Sequence, residues 1–106
     1  MIYVVVERCY TSIISEELAP KLSVKAFEKL SMAQEYYESR KTVVKYVYPV
    51  QSLKIDFQTP LYLLVFFDKD KAEVVYGTPH KKNLEPVQSY LKSTQNKKSQ
   101  VLLAWS

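Results

Sequence analysis

At 106 residues, 47% of them hydrophobic, the chain has the size of one domain that can bury a core without disulfide or metal staples. Cys9 is its only cysteine and His80 its only histidine, which excludes an intramolecular disulfide and leaves too few soft ligands for a structural zinc site. The formal net charge of +4 sits in the last quarter: residues 1–78 carry ten basic and ten acidic side chains, and residues 79–106 carry Lys81, Lys82, Lys92, Lys97 and Lys98 against Glu85.

No apolar run approaches the roughly 18 residues that a membrane helix requires. The N-terminus lacks a basic flank followed by an apolar stretch and a small-residue cleavage site. The expectation is therefore a cytoplasmic chain with no membrane contact, in a reducing compartment.

Residues 2–8 open the chain with Val4, Val5 and Val6 beside Tyr3, branched and aromatic side chains that suit a pleated surface. Being apolar on both faces predicts a central strand. Residues 12–23 are predicted as a long connection with some helical content that Pro20 ends. Phe27 marks a short segment leading to residues 31–34, Ser-Met-Ala-Gln, which have the form of a capping box. Ala33, Tyr36, Tyr37 and Arg40 then follow at the spacing of one helical face.

Residues 42–50 are predicted as a strand, with Val44, Tyr46 and Tyr48 on one face and Pro49 limiting pairing at its end. Leu53, Ile55 and Phe57 alternate with Lys54 and Asp56, the period of a half-exposed strand. Residues 61–67 are the most apolar stretch. The polar link Asp68–Lys69–Asp70–Lys71 predicts a hairpin to a strand over residues 72–76. Gly77, the only glycine, closes that strand together with Pro79. Asn83 is the expected helix cap, and Pro86 falls in the first turn, where its missing amide costs little. Leu84, Val87 and Leu91 share a face, with Tyr90 beside it. A polar loop over residues 94–99 leads to a closing strand, residues 101–105. Trp105 should be built into the sheet, since a frayed tail would waste it.

The order strand–strand–helix–strand thus occurs twice. The predicted fold class is α+β: a mostly antiparallel sheet of five to seven strands with two helices on one face, formed from two halves of like order, over a single domain of residues 1–106. The alternative is a ferredoxin-like arrangement in which residues 12–40 form one broken helical connection.

Candidate chemistry is sparse. Asp68 and Asp70 are two carboxylates in a turn, short of the oxygens a divalent cation needs and flanked by Lys69 and Lys71. The plainer reading is a hairpin that uses aspartate as a turn residue. His80 lies in a lysine-flanked loop with no nucleophile beside it. Cys9 follows Arg8, and one arginine does not establish an activated thiol. A single glycine removes the glycine-rich phosphate loops of nucleotide enzymes. No enzyme activity, cofactor or metal is expected.

Two surfaces remain. Nine tyrosines exceed what one small core readily hides, so Tyr10, Tyr46, Tyr48 and Tyr76 are the candidate protein interface. Lys81, Lys82, Lys97 and Lys98 form a candidate anion or nucleic-acid patch, the first two ahead of a helix N-terminus that already favours anions. Against it, arginine is scarce, and the plainer reading of these lysines is solubility.

Residues 3–6, followed by Ala26-Phe27-Glu28-Lys29-Leu30-Ser31-Met32-Ala33-Gln34-Glu35-Tyr36-Tyr37, resemble a pattern of small phage-encoded proteins. There an apolar strand precedes a short strand ending in an aromatic and a capped helix. Phe27, Leu30, Ala33 and Tyr37 match; the glycine that often precedes the aromatic is absent. The resemblance spans the first half and implies an accessory α+β protein of a phage or mobile element, with no functional residues to carry across. The expected function is protein–protein binding as a modulator of a host factor. Nucleic-acid binding through the basic C-terminal quarter is the alternative, and oligomeric state, a dimer included, stays open.

Overall fold

A computed structural model of the chain describes residues 1–9, 21–43, 46–68, 71–95 and 99–105, with Cys9, Lys21, Asp68, Thr94 and Gln95 described in their backbone alone. The valine-rich opening becomes β1 (Ile2–Cys9), which pairs antiparallel with β2 (Lys21–Phe27) from Tyr3↔Phe27 to Cys9↔Lys21. Helix α1 (Leu30–Lys41) follows. The chain then returns along the other edge of β1 as two short strands, β3 (Tyr46–Val47) and β4 (Gln51–Leu53). Pro49 separates them, since it has no amide to donate to the ladder.

The second half repeats the scheme. Strand β5 (Tyr62–Asp68) pairs antiparallel with β6 (Lys71–Thr78), α2 (Leu84–Gln95) follows, and β7 (Ser99–Leu103) returns antiparallel along the other edge of β5. In both halves the first strand is central, the second flanks it and the strand after the helix takes the opposite edge. The α+β class and the repeated order follow the sequence expectation. The seven strands among the described residues, however, divide between two antiparallel sheets, and each helix packs against its own sheet.

A ferredoxin-like chain would keep residues 12–40 helical. Instead Lys21–Phe27 is a strand hydrogen-bonded to β1, because Leu22, Val24 and Ala26 alternate with polar neighbours and bury on one face.

One core serves both sheets. Ile2, Val4, Val6, Leu22, Val24 and Ala26 meet Leu61, Leu63, Val65 and Val74 across it, with Tyr48 sealing one side. The opposite face of the first sheet holds Val5 and Phe27 against Ala33 of α1, with Tyr36 and Tyr37 packed around them. Small Ala33 lets the helix approach closely. Arg40 adds a forked contact to the buried Glu7 carboxylate, Nε to Oε1 at 2.8 Å and a guanidinium nitrogen to Oε2 at 3.3 Å.

The two sheets are stitched at two places that mirror each other. Beyond β7 the backbone continues extended: the Ala104 amide donates to the Leu61 carbonyl, then Trp105 bridges β2. The Trp105 amide donates to Val24 O at 3.2 Å and its carbonyl accepts from the Ala26 amide at 2.8 Å. On the other side the Gln51 side-chain amide takes that part against β6. Its Nε2 donates to Ala72 O at 3.0 Å and its Oε1 accepts from the Val74 amide at 2.8 Å. A peptide group joins one seam and a glutamine amide the other.

Several local expectations are corrected. The capping box does not form: α1 begins at Leu30 with Lys29 at the cap position and no side-chain cap, so Ser31 already lies inside the first turn. Of the strand expected over residues 42–50, Tyr46–Val47 is paired, Val44 and Lys45 lie outside the described residues, and Thr42 and Val43 instead close the helix through bonds back to Ser39 and Arg40. Leu53–Phe57 keeps its alternating burial while only its beginning is paired. Asn83 is not a cap; it ends a turn of 3-10 helix (Lys81–Asn83) that runs into α2. Helix α2 reaches Gln95 and β7 starts at Ser99, so both ends of the loop expected over residues 94–99 belong to these elements, and residues 96–98 lie outside the described residues.

Candidate functional site

A bulge in β6 decides which way its aromatic points. Leu64 pairs with Tyr76, yet Val65 pairs with Val74, so Val75 is an extra residue. The insertion reverses the alternation along β6. Val74 faces the core, Gly77 also faces it, and Tyr76 turns outward with 51% of its surface exposed.

Register then assembles the neighbours of Tyr76. Direct partners across an antiparallel pair share a face. Leu63, Gly77 and Leu102 line the core side, so Tyr62, Tyr76 and Leu103 lie on the outer side. Tyr62 sits opposite Leu103, and Tyr76 is its diagonal neighbour, within reach of an aromatic ring. Two residues past Leu103, beyond the core residue Ala104, Trp105 emerges on the same side. Leu103 is 57% exposed and Trp105 47%. An apolar strip therefore runs Trp105–Leu103–Tyr62–Tyr76 over the outside of the second sheet.

At its Trp105 end the strip meets the first sheet and α1. Lys25 and Phe27 share the outer face of β2, and Tyr36 arrives from α1. The Lys25 ammonium lies 4.4 Å from the Trp105 ring centre, 4.8 Å from Tyr36 and 5.4 Å from Phe27. Tyr36 meets Phe27 tilted at 48° and Trp105 edge-on at 86°.

The sequence candidates scatter. Of the three described candidates among the four tyrosines, Tyr76 alone is exposed, and it belongs to the strip. Tyr48 is buried in the shared core, and its place in the candidate interface is withdrawn: just past β3 its amide donates to the Val6 carbonyl of β1, and its side chain packs among the core residues. Tyr46 is half-buried under the Arg8 guanidinium, 5.8 Å from its ring centre. Tyr10 lies outside the described residues. Lys81 and Lys82 are exposed in the 3-10 turn ahead of α2, while Lys97 and Lys98 lie outside the described residues. His80 is exposed at the start of that turn and makes no side-chain cap bond. Asp68 ends β5 opposite Lys71, and Asp70 is outside the described residues. Among the described residues no His, Cys, Asp and Glu cluster could hold a metal ion. No described helix is long and apolar enough to cross a membrane.

Leu103, Tyr62 and the Lys25 cage escaped sequence reasoning. The signal available was the alternation Leu103–Ala104–Trp105 and Lys25–Ala26–Phe27; what joins these is a bridge between residues eighty apart in the chain. No protein-family model, curated protein or solved structure matches the chain.

Proposed function

We propose that this protein is a non-catalytic binding protein that acts by contact with another protein, through the strip Trp105–Leu103–Tyr62–Tyr76. The observation that carries it is that exposed Trp105, Leu103 and Tyr76 lie with half-buried Tyr62 on one face. Binding energy at protein interfaces concentrates in a few such anchors, and a contiguous apolar patch is less common on a monomer than scattered ones. In keeping with the resemblance to small phage-encoded proteins, the partner is a host factor met in the cytoplasm.

The test uses Tyr76→Ala and Leu103→Ser, both at exposed positions and so expected to fold. Tagged wild type and variants are passed over nuclease-treated host lysate, with circular dichroism alongside. Proteins retained by wild type should be lost from both variants while the spectra stay the same. Retention by the variants equal to wild type would refute the strip as the contact surface.

A second reading rests on Lys81 and Lys82, exposed at the start of the helical segment, where backbone amides favour anions. Glu85 in the first turn of α2 already supplies part of that negative charge. Absence of any shift of single- or double-stranded probes at low salt, where electrostatic binding is strongest, removes this reading.

A further inference from the structure

The cage around Lys25 says what kind of partner the strip fits. Three aromatic faces hold its ammonium in place, but rings supply no lone pairs, so its N–H donors remain to be filled from outside. Among the described residues no carboxylate lies within ion-pair distance of Lys25, and none accepts a hydrogen bond from it. Lys25 stands opposite Val5, and Glu7, two residues further along the same face of β1, is already engaged by Arg40. The result is a positioned cation that has no counter-ion among the described residues, at the end of a largely exposed apolar strip.

An incoming cation would have to expel the ammonium already there. A nucleic acid would need several phosphate contacts, and the strip offers one ammonium beside four apolar side chains. A carboxylate meets no such obstacle and forms charge-assisted bonds to the fixed donors. We propose that the strip binds an acidic, apolar peptide segment, with an Asp or Glu carboxylate on Lys25 and the neighbouring hydrophobic side chains on Trp105, Leu103, Tyr62 and Tyr76. This rests on the protein-contact reading and narrows it to one chemistry.

The experiment selects binders to the full chain from a displayed library of random peptides. The best are synthesised, and their affinities are measured by calorimetry for wild type, Lys25→Gln, Lys25→Arg, Leu103→Ser and Tyr76→Ala. Trp105, the only tryptophan, reports occupancy of the cage by its fluorescence. The expected peptides combine Asp or Glu with aromatic or aliphatic residues. They should weaken about tenfold or more on Lys25→Gln and on Leu103→Ser, stay within about threefold on Lys25→Arg, and perturb Trp105 emission. Binders without acidic residues, or indifferent to Lys25→Gln, overturn the acidic partner; if they still respond to Leu103→Ser and Tyr76→Ala, the protein-contact reading survives. No binders, or binders indifferent to every variant, overturn both. Displacement by a single-stranded oligonucleotide that itself depends on Lys25 overturns the proposal in favour of nucleic acid.

Discussion

At the residue scale, three positions carry more than their type suggests. Glu7 is only 4% exposed, and its charge is tolerable because Arg40 reaches it from α1. Replacing Arg40 by Met strands a buried carboxylate. Since the Arg40 side chain is 35% exposed and solvent screens the pair, the cost should be about 2–3 kcal/mol in urea unfolding, below that of a wholly buried pair. The double variant Glu7→Leu, Arg40→Met should recover most of that loss. Failure to recover would mean that the pair contributes more than mutual neutralisation. Gly77 is needed for space: a Cβ there would lie 2.8 Å from Ile55 Cδ1 and 2.8 Å from Leu63 Cδ2. Gly77→Ala should cost about 1 kcal/mol, since half-buried Ile55 can give way, and Gly77→Val about 3 kcal/mol. Trp105 contributes its backbone to the seam and keeps half its ring in solvent. Trp105→Ala should therefore cost about 1–2 kcal/mol, less than for a buried tryptophan.

At the element scale, the seams decide how the halves meet. Gln51 replaces a strand's peptide group against β6, so Gln51→Ala should free the Val74 amide without unpairing β6 from β5. Hydrogen exchange should show Val74 losing protection while the β5–β6 ladder keeps it, with a stability loss of about 1–3 kcal/mol. Gln51→Glu should fare no better, because a carboxylate cannot donate to Ala72 O. The elements themselves were largely legible. A branched run announced β1 and the most apolar stretch announced β5, and Pro86 and the Asp68–Lys71 link marked a helix start and a hairpin. The boundaries were less so. Ser31 looked like a cap because local spacing allowed it, yet Leu30 was drawn into the helix. The bulge at Val75 left no local signature, and it reversed the face on which Tyr76 appears.

At the scale of the whole molecule, one core is shared by both halves, and the final strand touches each. Deleting residues 101–106 should abolish cooperative folding, because it strips β5 of its second neighbour and opens the Trp105 seam. In the intact chain, unfolding followed by Trp105 fluorescence and by far-ultraviolet circular dichroism should give coincident midpoints, as one cooperative unit requires. Separate midpoints would show that each half folds on its own side of the core.

Alone, the sequence determined the α+β class, the twice-used order of elements and the apolar runs of β1 and β5, because hydrophobic period and turn chemistry act over a few neighbouring residues. The tertiary structure decided the rest: the division into two sheets, the seams made by Gln51 and Trp105, and the gathering of Lys25, Phe27, Tyr36 and Trp105 around one ammonium. Each depends on registers between distant segments, where a shift of one residue moves every side chain to the opposite face. Tyr48 and Tyr76 show the consequence, since equal in composition and similar in setting, one turns into the core beside β1 and the other was sent out to solvent by a bulge.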